Sequence, residues 1–210
     1  MTDKVNREFW SRTAEKYDSD LVYVVGQDVI DAEIKKLSEE KNLGRVIEFG
    51  CGTGIFTTAI AGNADYILAT DISSEMIEIA AGRFAGYDNI EARTGSCYDC
   101  ELPDESFDTG LIVNSIHLID SPVGALWEFH RVLKQGGKLI IATFTGRYLK
   151  PDAKEALANR FFEKFGKPPY ARNFTLESLE EHLNEVGFRV EESLLLGTDV
   201  KALYLVGVKE

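Results

Sequence analysis

Residues Arg45 to Phe49 (RVIEF) read as a strand and run straight into Gly50-Cys51-Gly52-Thr53-Gly54, three glycines in five residues. No other stretch limits the fold as much. A glycine-rich turn between a strand and a helix lets main chain approach a ligand closely, where any Cβ would stand in the way. A helix is predicted over 55–61 and a second strand over Tyr66 to Thr70, closed by Asp71, which stands 21 residues beyond Gly50. In a doubly wound sheet a carboxylate at that place can accept hydrogen bonds from both ribose hydroxyls. The glycines could instead serve only a tight turn, and Asp71 only a helix cap. Taken together, the loop and the acid specify a nucleoside-containing ligand lying across the carboxyl edge of a sheet.

The rest of the chain extends this pattern. Further strands are predicted over Asn89 to Arg93, Asp108 to Val113 and Lys138 to Phe144, the last a continuous apolar run typical of a buried parallel strand. Between them, helices are predicted over 75–84, with Ser73 and Ser74 as caps, and over 123–133, closed by Gly136-Gly137. Strands alternating with helices in this way imply βαβ units. Phe188 to Leu195 and Ala202 to Val208, separated by Gly197-Thr198-Asp199, look like a hairpin. The expectation is an α/β fold with a doubly wound, mostly parallel seven-stranded sheet and a C-terminal antiparallel hairpin at its edge. Residues 1–43 carry helices predicted over 7–17 and 27–43, the second with Ile30, Ile34 and Leu37 on one face. Residues 44–144 form the ligand-binding core, 145–187 carry helices over 152–164 and 176–186, and 188–210 are the hairpin. No Pro/Gly/Ser-rich linker divides the 210 residues, so one domain is expected.

Charge narrows the partners. With 23 basic and 35 acidic residues the net charge is −12, which repels a nucleic-acid backbone. No apolar run approaches the roughly 20 residues of a membrane span, and the opening MTDKVNREFW is too polar for a secretory signal. Three cysteines make no disulfide framework. A soluble cytoplasmic protein, monomer or homodimer, with no nucleic-acid or membrane partner is expected.

A dinucleotide fits the loop poorly. Its fingerprint is G-x-G-x-x-G, whereas the loop reads G-x-G-x-G, and Glu48 beside it would repel a pyrophosphate but suit a cationic or amino-bearing ligand. E-F-G-C-G-T-G (Glu48 to Gly54), an acid ending the next strand, and R-V-L-K-x-G-G (Arg131 to Gly137) before the late apolar strand resemble the class I S-adenosylmethionine-dependent methyltransferases. L-P-D-E-S-F-D (Leu102 to Asp108), H-L-I-D (His117 to Asp120) and the opening F-W-S-R-T-A-E-K-Y-D (Phe9 to Asp18) fit the same family, as small-molecule members carry them. The resemblance runs from Phe9 to the C-terminus and is densest from Val46 to Phe144.

What the resemblance implies is a Rossmann-like methyltransferase fold, with S-adenosylmethionine as cofactor and S-adenosylhomocysteine as product. Carried over residue by residue, it sets Glu48, Gly50, Cys51, Gly52 and Gly54 against the methionine portion and ribose. Asp71 would hold the ribose hydroxyls, with Ile72 and Met76 beside the adenine. Gly95-Ser96-Cys97 stands where the family often has G-D-A, so Ser96 replaces the acid that meets the adenine amino group, while the Cys97 N–H remains for a ring nitrogen. Asn114 matches a contact to the cofactor's amino group, and Tyr17 a tyrosine that covers its carboxylate end.

His117, three residues past Asn114, is the candidate base, though it could instead cap a turn or order Asp120. His130 and His182 read as packing and solvated residues. Cys97 and Cys100 form one C-x-x-C, too few ligands for a closed zinc site, so no metal is expected, and a redox role for the pair stays open. Lys167-Pro168-Pro169-Tyr170 resembles the N-P-P-Y motif of enzymes methylating planar nitrogens, but lies far from the fourth strand, which argues against nucleobase or amide methylation. The segment 145–187 is the expected substrate lid. Its Tyr148, Phe161, Phe162 and Phe165 could roof an apolar pocket, and Arg147, Lys150, Lys164 and Arg172 could meet an anionic substrate. Methyl transfer to a small-molecule acceptor by in-line displacement is the expected reaction, with O, N, S and C acceptors all open. The rivals are an aminopropyl transferase, a nicotinamide-dependent oxidoreductase and a non-catalytic cofactor-binding module.

Overall fold

Seven strands form where the apolar runs lie: β1 (Gly44–Phe49), β2 (Ala64–Asp71), β3 (Ile90–Thr94), β4 (Phe107–Val113), β5 (Leu133–Thr145), β6 (Phe188–Leu196) and β7 (Lys201–Lys209). The structure, a computed structural model, describes residues 2–210; Met1, the first residue of the 1–43 segment, lies outside the described residues. The strands make one sheet in the order β3-β2-β1-β4-β5-β7-β6. β1 pairs in parallel with β2 and β4, β2 with β3, and β4 with β5. β7 lies antiparallel between β5 and β6, so the C-terminal hairpin completes the edge.

The helices are α1 (Thr2–Ser11), α2 (Tyr17–Val25), α3 (Gln27–Glu39), α4 (Thr57–Ile60), α5 (Ser74–Phe84), α6 (Pro122–Val132), α7 (Pro151–Phe165) and α8 (Leu176–Glu185). They cover both faces of the sheet, which is why its strands read as continuous apolar runs. Period-two alternation sorts the side chains between the two cores. Val46, Ile67, Leu111, Ile140 and Tyr204 pack with Leu21, Val24, Ile30 and Leu37 of α2 and α3. Ile47, Leu68, Ile112, Ile141 and Leu205 pack with Phe129 of α6 and Leu179 and Leu183 of α8. Each fully buried aliphatic or aromatic side chain contributes about 1.5–3 kcal/mol, and a one-residue slip would exchange the two faces.

Four elements differ from expectation. The helix expected over 7–17 is instead α1, ending at Ser11, and a separate 3-10 turn over Ala14–Lys16, broken at Arg12 and Thr13. α2 forms over Tyr17–Val25, a stretch whose valines carry β propensity, because Leu21, Val24 and Val25 are buried against the sheet and packing outweighs that preference. The helix after the glycine loop is a single turn, Thr57–Ile60, followed by a 3-10 turn over Ala61–Asn63. β5 starts at Leu133, directly after α6, so Gly136-Gly137 lies within the strand rather than closing the helix. Ser73 caps α5, accepting from the Met76 N–H at 3.2 Å. No helix among the described residues is long and apolar enough to cross a membrane. The chain leaves β1 and β4 toward opposite faces, opening a crevice at their carboxyl ends, the place where doubly wound sheets take their ligands.

Candidate active site

Gly50, Gly52 and Gly54 take φ values of +72°, +55° and +80°, all in the left-handed region. The loop they make is pinned to β2: the Cys51 N–H donates to the Thr70 carbonyl at 2.9 Å and the Gly52 N–H to Asp71 Oδ2 at 2.9 Å. Asp71 Oδ1 accepts from the Ser73 N–H at 2.9 Å, so one carboxylate joins the glycine loop to the start of α5. Burial pushes the Asp71 pKa up, and the N–H donors of Ser73 and Gly52 work against that rise. At Gly54 an added Cβ would lie 2.4 Å from the Phe84 ring. Gly54→Ala therefore combines overpacking with a disfavoured φ and should cost about 2–4 kcal/mol. An unchanged urea midpoint would contradict this.

Between β1 and β4 lies a cleft of about 700 Å³, part of it open to solvent. Its lining brings together Gly50, Gly52 and Asp71, Ile72 and Met76, and Asn114, Ser115 and Leu118, with Ser115 against Gly50; Trp10 and Tyr17 also line it. Among the described residues no Lys, Arg or His lines the cleft, and Asp71 supplies its acidic side chain. The N-terminal elements are tied down over it. Ser11 and Ser73 hydroxyls meet at 3.0 Å, Thr53 donates to Asp18, and Arg83 pairs with Asp18 while its Nε donates to the Thr53 carbonyl at 2.9 Å. Burial, with the charges of Asp71, Asp18 and Glu33, raises the Tyr17 pKa above the usual range, so its phenol stays protonated.

Of the residues singled out from sequence, Tyr17, Gly50, Gly52, Asp71, Ile72, Met76, Cys97 and Asn114 come together in the cleft lining. Glu48, Cys51, Gly54, Ser96 and His117 fall outside it. Glu48 shares a strand face with Val46, which turns it beneath the loop, where it is buried and accepts from Thr57 Oγ1 at 2.6 Å. The charge that disfavours a pyrophosphate in the cleft is therefore that of Asp71. Cys51 is buried with its thiol toward the Gly52 carbonyl at 3.6 Å, and Ser96 Oγ accepts from the Tyr98 N–H at 3.3 Å.

Two carboxyls lie in the interior. Burial pushes Glu48 up to about 7 and Glu33 up to about 8, from ordinary values near 4.5. Each binds its proton more tightly folded than unfolded, so its contribution to stability is full below about pH 4.5 and is lost as pH rises through 7 to 8. The thermal midpoint should fall between pH 6 and pH 9, and Glu48→Gln should recover ~4 °C or more of that fall. An identical slope in the variant would contradict the burial of that proton.

Glu33 belongs to no motif, yet its position on α3 carries a signal. It sits at i+3 from Ile30 on the same apolar stripe of α3 as Ile34 and Leu37, where a solvated acid does not belong. Its Oε2 accepts from Asn114 Nδ2 at 2.9 Å, and Asn114 Oδ1 accepts from the Phe144 N–H at 2.9 Å. Asn114 is thus held between α3 and the end of β5 in the left-handed region, at φ +50°.

His117 lies in a one-turn 3-10 helix, Ile116–Leu118, past β4. Its Nδ1 is 2.6 Å from Thr143 Oγ1, and its buried Nε2 has no hydrogen-bond partner among the described residues. Burial pushes its pKa down to about 3, so the ring is neutral. The imidazole borders a second cavity, of about 600 Å³ with part of it open to solvent, walled by Leu118, Phe144, Leu157, Phe161 and Phe162, with Arg172 and the exposed Lys154 also lining it. Leu118 borders both cavities. Of the cations expected to meet an anionic substrate, Arg172 lines this second cavity, and three of the four are engaged by other groups of the chain. Arg172 donates to the Ile119 and Asp120 carbonyls, Arg147 to the Asn173 carbonyl, and Lys164 pairs with Asp20 at 3.7 Å.

Cys100 donates to Glu128 Oε1 at 3.0 Å within a cluster closed by Arg131. Burial and Glu128 push its thiol up to about 12, the opposite of an activated thiolate. Among the described residues no group of three or more His, Cys, Asp or Glu could hold a metal ion.

A family model described as a methyltransferase domain matches residues 47–141. A demethylmenaquinone methyltransferase of Tropheryma whipplei is 30% identical over 207 residues, covering 94% of this chain and 86% of its own length. A crystal structure from Thermotoga maritima, described as a SAM-dependent methyltransferase and possible histamine N-methyltransferase, aligns with a TM-score of 0.73 at 26% identity, covering 97% of this chain and 99% of that one. A structure of the DhpI–SAH complex aligns with a TM-score of 0.75 at 21% identity over 98% of this chain and 96% of that one, a likeness of fold.

Proposed function

Because this chain belongs to the class I S-adenosylmethionine-dependent methyltransferases, we propose that the glycine-lined cleft binds S-adenosylmethionine and that the apolar pocket beside His117 holds a small-molecule acceptor. The observation that carries this reading is the charge of the cleft. A lining with Asp71 and, among the described residues, without Lys, Arg or His suits a sulfonium and an ammonium, and offers a pyrophosphate no cationic side chain. Each Asp71 oxygen accepts one N–H and keeps a lone pair for a ribose hydroxyl. These features fit the cofactor and speak against a nicotinamide dinucleotide.

When bound, S-adenosylmethionine supplies a methyl group already activated by the positive sulfur, and transfer removes that charge. The chain's task is to orient the acceptor and exclude water. Asp71 holds the nucleoside end. Tyr17 and Trp10, on the N-terminal elements, cover the cleft. In the tautomer whose Nδ1–H donates to Thr143, His117 has a free Nε2 lone pair, buried at the edge of the second pocket, and an acceptor hydroxyl that reaches it gives up its proton there. The imidazolium so formed appears as the sulfonium charge disappears, which offsets the burial that depresses its pKa. α7 roofs the pocket and acts as the lid of the 145–187 segment.

The pocket's aromatic and aliphatic walls favour an acceptor with an apolar ring body and a hydroxyl, in keeping with the quinone-derived acceptor that the name of the T. whipplei relative denotes. Release of S-adenosylhomocysteine across a panel of phenols, quinols, amines, thiols and carboxylic acids tests this. Turnover is expected with ring hydroxyls. Failure to bind S-adenosylmethionine at millimolar concentration, or transfer confined to protein or nucleic acid, would overturn it.

A further inference from the structure

Glu33 is a fully buried acid with one oxygen bonded to Asn114 and the other, Oε1, without a hydrogen-bond partner among the described residues. No ion pair among the described residues compensates it; it is hydrogen-bonded to the Asn114 amide just past β4 and coupled electrostatically to the Tyr17 phenol of α2, on which Asp71 and Asp18 also act. A carboxylate in such a place is costly, and the neutral acid is favoured. Both of its neighbours line the cleft, so Glu33 stands one hydrogen bond behind the ligand.

Asn114 transmits what happens there. Its amide is polarised one way, with Nδ2 donating to Glu33 and Oδ1 accepting from the Phe144 N–H. That arrangement persists whether Glu33 is ionised or neutral, but a carboxylate draws the amide more strongly than an acid does. A positive ligand in the cleft favours the carboxylate, and a neutral one leaves the proton in place. S-Adenosylmethionine and S-adenosylhomocysteine differ in this respect: both carry the same amino-acid end, and the sulfur is charged in the first alone.

Resting on the assignment of the cleft to S-adenosylmethionine, we propose that Glu33 is a specificity-determining positioning residue. Acting through Asn114, it lets the cleft distinguish sulfonium from thioether by releasing its proton to solvent when the sulfonium binds and retaining it with the thioether. The proton returns from solvent once the methyl group has left, so the Glu33 carboxyl shifts the balance of binding toward the cofactor and away from the product. The high pKa of the Glu33 carboxyl, about 8, means that it holds most of its proton at pH 7 and has one to give.

The test is calorimetric titration of the full chain with each ligand at pH 7, in phosphate and in Tris, whose ionisation enthalpies differ. S-Adenosylmethionine should release about half a proton or more beyond what S-adenosylhomocysteine releases. In Glu33→Gln, which keeps an acceptor for Asn114 and cancels the ligands' own titration, that difference should vanish. Between pH 6 and pH 9 the preference for cofactor over product should rise about tenfold more in the wild type than in the variant. Equal proton counts for the two ligands in the wild type overturn the proposal, even if the variant fails to fold. The same proton difference in Glu33→Gln also overturns it. Binding of neither ligand overturns the cofactor assignment itself, and the proposal with it.

Discussion

Asp71→Ala is expected to weaken S-adenosylmethionine binding by about 100-fold or more, since two hydrogen bonds to a charged acceptor contribute about 1.5–3 kcal/mol each. The carboxylate has a second duty that makes the loss larger. Its oxygens accept the Gly52 and Ser73 N–H groups, so its removal also frees the glycine loop from the start of α5. Asp71→Asn separates the two effects, because the amide keeps one acceptor for the backbone while giving up the charge. An intermediate loss of about tenfold is expected there. Calorimetry on both variants, with a urea titration to confirm that each is folded, decides the matter. Affinity within threefold of the wild type in Asp71→Ala would remove the ribose from this carboxylate.

His117→Ala should lower turnover about 10²–10⁴-fold with a hydroxyl acceptor, while cofactor affinity changes little, because the imidazole lies outside the cofactor cleft. Its burial and its low pKa, about 3, make a second expectation: the ring stays neutral across the working range, so kcat should show no protonic step from His117 between pH 6 and pH 9. The measurement is steady-state release of S-adenosylhomocysteine with the best acceptor of the panel. Wild-type turnover in His117→Ala would leave the residue a packing role beside Phe144, whose ring it meets at 4.5 Å.

How far the sequence foretold this arrangement depends on the kind of signal. Seven strands, their parallel pairing and the terminal hairpin followed from apolar runs alternating with helical ones, a pattern long enough to survive boundary errors. Asp71 was legible because a strand end followed by a capped helix leaves its side chain one place to go. Glu48 stays out of the cleft lining because its strand geometry sets it on the face of Val46, buried beneath the loop against Thr57, a placement that the motif alone does not announce. α2 stayed hidden because its valines favour strand until burial is known. Glu33 required knowing that the stripe of α3 faces a sheet edge carrying Asn114. The second cavity depends on how α7 and the 166–175 segment return over β4 and β5, with Arg172 fastening that segment to the Ile119 and Asp120 carbonyls, and no local pattern announces such a long-range closure.

A structure of the protein with S-adenosylhomocysteine bound tests the central claim most directly. The expected result has the ribose hydroxyls within hydrogen-bond distance of the Asp71 oxygens, the adenine beside Ile72 and Met76, and the sulfur on the side of Leu118 that leads toward His117. A nucleoside seated anywhere else, or an Asp71 carboxylate bonded to Gly52 and Ser73 alone, would contradict it.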